Sequence, residues 1–203
     1  MSKIVEFEKI SKNTSQKFVI KQTQSDMRVA ILGWEQIDLT FDIQSWGNTI
    51  KVLIIGETKQ KITIKANLQQ DNAQVNLHIV SLGVGGNLYI DWWVYIPQGV
   101  KNVEGHLLEE NLILTGKTKI TSVPRLDVRA NEVVASHGAK VQKLDEDKLF
   151  YVRSKWVWLL DAQMLLLSGY FEQFFEGLEQ SQSLTEQLLQ RLKSKLIDAS
   201  RTD

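Results

Sequence analysis

The chain of 203 residues contains no cysteine. This excludes a disulfide framework and every thiolate-ligated metal site. It also lacks an excess of charge of either sign, with 24 Lys and Arg against 24 Asp and Glu. Such a chain has no broad electrostatic footprint for nucleic acid, and no Lys/Arg cluster with interleaved aromatics replaces one. Long apolar runs are missing too. The most apolar stretch, Val157 to Phe175, is interrupted by Asp161, Gln163, Glu172 and Gln173, whereas a membrane-spanning helix needs roughly 20 predominantly apolar residues. The opening residues, MSKIVEFEKISKN, are charged throughout and hold no apolar core of a secretory signal. The expectation is a cytoplasmic protein with no membrane span and no nucleic acid as its main partner.

What is present divides near residue 142. Before it, short runs alternate apolar and polar residues: Arg28–Leu32, Asp38–Gln44, Lys61–Lys65, Gln74–Val80 and Arg125–Arg129. In Lys61–Lys65, Ile62 and Ile64 share one face while the two lysines and Thr63 share the other, the two-residue period of a half-buried strand. Turn-forming residues punctuate the runs at Trp46-Gly-Asn48, Gly56, Gln70-Asp-Asn72, Gly83–Asn87, Pro97-Gln-Gly99 and Gly116. Many short strands are expected, as a sandwich, a barrel or a solenoid. The sequence carries no clean repeat of the kind an idealised solenoid shows.

After residue 142 the period becomes helical. Asp145 is placed to cap a short helix through Phe150-Tyr151, with Glu146 and Asp147 suited to its N-terminal dipole. A longer helix is expected over 158–178, where Leu159, Ala162, Leu165, Leu166, Tyr170, Phe174 and Leu178 recur at helical spacing. A last helix is expected over 184–199, with Arg191, Lys193 and Lys195 toward its C-terminal end.

Four ordered segments carry a resemblance. Glu109 to Val128 contains Asn111-Leu-Ile-Leu-Thr115, a short turn, and Pro124-Arg-Leu-Asp-Val128. Asn131-Glu-Val-Val-Ala-Ser-His-Gly-Ala-Lys-Val141 follows, then Leu144-Asp-Glu-Asp-Lys-Leu-Phe-Tyr-Val-Arg-Ser154, then Leu165-Leu-Leu-Ser-Gly-Tyr-Phe171. In this order and spacing they resemble the SufB/SufD family, the scaffold subunits of iron–sulfur cluster assembly in the SUF system. The resemblance implies a mainly β fold, a right-handed parallel β-helix over residues 1–142, with a small helical domain over 143–203. It also implies partners: a SufC-like ABC ATPase held by the helical domain, and a SufB-like subunit, or a second copy of this chain, paired through the last β-helix strands. A SufD-like structural subunit is the leading expectation, with a homodimeric ATPase adaptor lacking any cluster role as the alternative. An enzyme is not expected.

The interface residues implied are Leu126, Val128, Val133, Val134 and His137, and the ATPase-docking residues Trp156, Trp158, Tyr170, Phe171, Phe174 and Phe175. An exposed solenoid edge offers unpaired backbone groups to a second chain. Trp156 and Trp158 stand where the family starts a polar helix, so they are extra core or a partner surface. His137 is the sharpest metal candidate, since a neutral imidazole can ligate iron. The family often has cysteine at the position of Ala135, and one histidine is not a site. The expectation is therefore no stably held cofactor, and iron or an iron–sulfur cluster only transiently, with a cysteine-bearing partner. His78 and His106 are expected to be exposed single histidines, and Glu109, Glu110 and Glu132 solvated carboxylates. Leu82–Asn87 lacks the Walker pattern and is read as a turn. Ser136 adjoins His137 without a nucleophile elbow. No pair of acids is identified that would serve a carbohydrate-active β-helix enzyme.

Overall fold

A computed structural model describes residues 4–10 and 12–200. Among them are eleven strands followed by three helices. The strands are β1 (Ile4–Ile10), β2 (Thr14–Ile20), β3 (Ser25–Leu32), β4 (Gln36–Ile43), β5 (Asn48–Gly56), β6 (Gln60–Leu68), β7 (Gln74–Gly83), β8 (Gly86–Ile96), β9 (Lys101–Ile113), β10 (Thr118–Val128) and β11 (Glu132–Lys143). Odd strands form one six-stranded sheet and even strands a five-stranded one, each in order of sequence. All nine strand pairings are parallel. A chain that alternates between two parallel sheets winds as a β-solenoid, with each coil stacked on the one before.

The coils lengthen along the chain. Ser25 bonds Asn48 at a separation of 23 residues, Asn67 bonds Asp42 at 25, and Ser81 bonds Asn111 at 30. Strands lengthen in step, from 7 residues in β2 to 9 in β6 and 13 in β9. A drifting period explains why no fixed repeat is visible in the sequence.

The two inward faces make one core. Ile37, Leu39, Phe41 and Ile43 of β4 stack on Ile62, Ile64, Ala66 and Leu68 of β6 and face Met27, Val29, Ile50 and Val52. Corners are fixed by turn residues. Gly47 has φ +72, and beside it the Asn48 amide donates to the Ser45 and Gln74 carbonyls of successive coils. At Gly86, φ is +69 and a Cβ would lie 2.4 Å from the Thr58 carbonyl carbon, so only glycine fits. The Leu82–Asn87 segment is thus a tight corner, as its sequence indicates.

A second core lies outside the solenoid. Ala30, Leu32, Leu53, Ile55, Val80 and Leu82 point outward from the odd sheet and are buried under the helices. Arg28–Leu32 is therefore buried on both faces rather than half-buried, and its alternation is lost because a helix layer covers the outer face. Helix α1 spans Glu146–Arg153, α2 Leu159–Phe175 and α3 Ser181–Ser200. The Asp145 side chain accepts the Lys148 N–H at 3.0 Å, the cap its sequence suggests. Helix α2 ends at Phe175 instead of 178 because Gly177, at φ +84, turns the chain, and α3 then begins three residues earlier than its apolar pattern indicates.

Phe171, Phe174 and Phe175 anchor α2 against the odd sheet and are buried there, with Leu167, Leu188, Leu192 and Leu196. Polar latches frame this core. Buried Arg28 donates to Asp26 at 2.7 Å and to the Glu176 carbonyl at 2.5 Å, placing a cation at the C-terminus of α2. Arg191 makes a two-pronged bond to Glu57, joining α3 to the turn after β5.

Candidate functional site

Strands β10 and β11 are each paired on one side only. Beyond them the solenoid interior is uncovered. The register places Ile120, Ser122, Leu126 and Val128 of β10 above the inward residues Leu88, Ile90, Val94 and Ile96 of β8. In the same way Val133, Ala135, His137 and Val141 of β11 continue the inward columns of β9. From β3 to β9 such positions are sealed by the neighbouring coils. Here Leu126 is 37% exposed and Val141 55%, and His137 is exposed as well. This open end joins two free strand edges to an apolar face.

Of the interface residues read from sequence, Leu126, Val128, Val133 and His137 lie on this inward face, whereas Val134 points to the outer face and is 56% exposed. His78 and His106 do not stack with His137. His106 lies on the outer face, its Nδ1 2.8 Å from the Ser136 hydroxyl. His78 is half-buried beside Glu110, and burial outweighs the attraction of that carboxylate to hold its pKa below the ordinary histidine value. Glu110 pairs with Lys140 at 2.8 Å, and Glu132 lies 4.0 Å from Lys101.

Glu109 is a correction to the sequence reading. It is 0% exposed, on the inward face one coil below the open end. Its Oε2 accepts the Trp92 indole N–H at 2.5 Å and the Ser122 hydroxyl. Burial pushes its pKa above the ordinary carboxylate value, against hydrogen bonds from Ser122, Asn111 and Trp92 that act the other way. The signal was in the period. Counting by twos from Val103 through Gly105 and Leu107 puts Glu109 and Asn111 inside. The Trp92 indole also meets the His137 ring edge-on, with centroids 6.2 Å apart.

A raised carboxyl pKa has a definite sign in stability. The folded state holds the Glu109 proton more tightly than the unfolded chain, so its contribution is full below the ordinary value of 4.5 and is lost as pH rises through the folded pKa. Glu109→Gln is therefore expected to raise the melting temperature at pH 7, with the gain shrinking toward pH 4.5. A gain that grows on acidification would contradict this.

A second surface lies on the tail. Trp156 is 96% exposed and Trp158 82%, with Phe150, Tyr151, Leu159 and Leu165 also exposed. A shallow cleft of about 470 Å³ runs between Phe150, Arg153 and the two tryptophans. Of the docking residues read from sequence, the two tryptophans are on this surface and Tyr170 is half-buried. Phe171, Phe174 and Phe175 are not available to a partner, because the outward apolar stripe of β3, β5 and β7 claims them.

Among the described residues no three His, Asp or Glu side chains converge as a metal centre. No helix among them is long and apolar enough to cross a membrane. The described residues thus form an open-ended parallel solenoid with a flanking helical tail.

Comparison with known proteins agrees. Residues 34–170 match the family described as SUF system FeS cluster assembly, SufBD core domain, and the chain belongs to that family. It is 26% identical to the iron–sulfur cluster assembly protein SufD of Escherichia coli (strain K12), over 62% of this chain and 29% of that protein. It is 30% identical to a SufBD family protein of Mycobacterium leprae, over 69% of this chain and 34% of that protein. A Synechocystis SufBD family protein is 35% identical over 38% of this chain and 17% of its own length. The chain spans about a third or less of these relatives.

Proposed function

We propose that this chain is a SufD-like, non-enzymatic scaffold subunit of a SUF-type complex. Its open end pairs with a SufB-like subunit or a second copy, and its tail docks a SufC-like ATPase. The observation that carries the reading is the open end itself. The apolar inward residues of the last coil, Leu126 and Val141 exposed and the others partly buried, lie beside two unpaired parallel strand edges, a surface suited to another solenoid end. The ATPase surface is the exposed aromatic patch around Trp156 and Trp158. With no cysteine, the chain holds no stable cluster, and iron or a cluster passes through only with a cysteine-bearing partner.

The test is co-purification of the tagged chain from its native cell, for the wild type and for a Leu126→Lys/Val141→Lys variant. Both sites are exposed, so the variant should fold with unchanged circular dichroism. Two buried cations at the seam should weaken end pairing by on the order of 100-fold while ATPase capture persists. Unaltered pairing by the folded variant would move the interface away from this end.

A further inference from the structure

The helices cover the outside of the odd sheet and leave that of the even sheet open. Where the odd strands turn into the even ones, a cleft of about 880 Å³ crosses this open face. Its lining residues lie on, or just before, β2, β4, β6, β8 and β10, which are consecutive in the sheet. Four strand spacings of about 4.8 Å make it roughly 19 Å long.

The cations of this face divide into two groups. Lys17 pairs with Asp42 at 2.6 Å, Arg125 with Asp91 at 2.9 Å, and the Lys65 ammonium lies 4.3 Å from the Trp93 ring centroid. By contrast, Lys59 and Lys61 in the middle of the cleft, and Lys119 beside Asn87 at its edge, have no ion-pair partner among the described residues. Glu35 is the one lining carboxylate without a cation, so positive charge is in excess. The neutral side chains are also unspent. Asn13 Oδ1 accepts the Gln36 N–H at 3.1 Å, which leaves the Asn13 NH2 group to donate. The Gln36 and Asn87 carboxamides and the Tyr89 hydroxyl make no hydrogen bond among the described residues. A carboxamide offers a donor and an acceptor side by side, as a peptide group does.

We propose that this cleft binds an extended acidic segment of another polypeptide, about six residues long at roughly 3.3 Å per residue. Lys59 and Lys61 take its carboxylates, the three carboxamides take its backbone, and the Tyr89 ring takes an apolar side chain. A phosphate group asks for donors converging on one point. Here the donors are strung along the cleft, and its arginine is spent on Asp91. The site depends on neither the end pairing nor the ATPase docking.

Fluorescence anisotropy of a labelled octapeptide of alternating Glu and Thr, titrated with the full chain, tests the site. Saturable one-to-one binding is expected. Lys59→Gln/Lys61→Gln should weaken it about fivefold, and so should Asn87→Ala, which changes no charge. Lys21→Gln/Lys101→Gln, where the even strands turn into the odd ones, should leave it unchanged. All five positions are exposed, so these variants should fold. In the wild-type chain the side-chain amide resonances of Asn13, Gln36 and Asn87 should shift as peptide is added, and that of Asn102 should not. Absence of saturable binding, equal affinity in the cleft variants, or equal binding of a peptide with Lys in place of Glu would overturn the proposal. So would tighter binding of inorganic pyrophosphate or of oligothymidylate at the same salt, which would make the cleft a small-anion or a nucleic-acid site instead.

Discussion

Replacing Phe171 and Phe175 together with alanine is expected to destabilise the protein by several kcal/mol and to release the helical tail. Each ring is fully buried, and a Phe→Ala change in a core costs about 3–5 kcal/mol. The two neighbour one another at helical spacing on α2, so the sum falls short of additive. The loss is local in its origin. These rings cover Ala30, Leu32, Leu53 and Ile55 on the outside of the odd sheet, while the inner core has its own contacts. Urea unfolding should show a lowered midpoint with an early helical loss before the strands unfold. An unfolding free energy unchanged to within about 0.5 kcal/mol would mean that the tail is held by something other than its phenylalanines.

The second large effect concerns Trp156. It is almost wholly exposed and its backbone sits at φ +64, a left-handed conformation that a tryptophan adopts at a cost. Trp156→Gly removes that strain, so stability should hold or rise slightly, even though glycine also loosens the unfolded chain. Combined with Trp158→Ser, it should still lower affinity for a SufC-like ATPase by roughly 100-fold, the scale of two aromatic anchors lost from one interface. Calorimetric titration would measure the affinity and thermal melting the stability. Binding that survives in a stable double variant would remove the aromatic patch from the docking surface.

The fold was legible where the period was simple. Ile62 and Ile64 announce a strand with one buried face, and they are buried. The motifs from Asn111 to Phe171 announce the family, and the family match covers them as far as Tyr170. What escaped was burial on two faces at once. Leu53-Ile-Ile55 has no alternation to read, because the inner coil takes one side and α2 and α3 the other. The same blindness misplaced the phenylalanines. A helix apolar on many sides tells how much surface must be covered, not whether a sheet or a partner covers it. Glu109 was missed for a different reason: a carboxylate is expected in water, and only its strand phase argues otherwise.

The steady growth of the coils gives the molecule a taper, with 7-residue strands at one end and strands of 11 and 12 residues at the other. Two tapered bodies joined broad end to broad end meet with matching perimeters and bury each other's edges. Broad end against narrow end leaves several residues of every strand overhanging. For the proposed pairing at the open end, that geometry would favour a closed, self-limiting pair over the head-to-tail chain that a uniform rod with sticky ends would build.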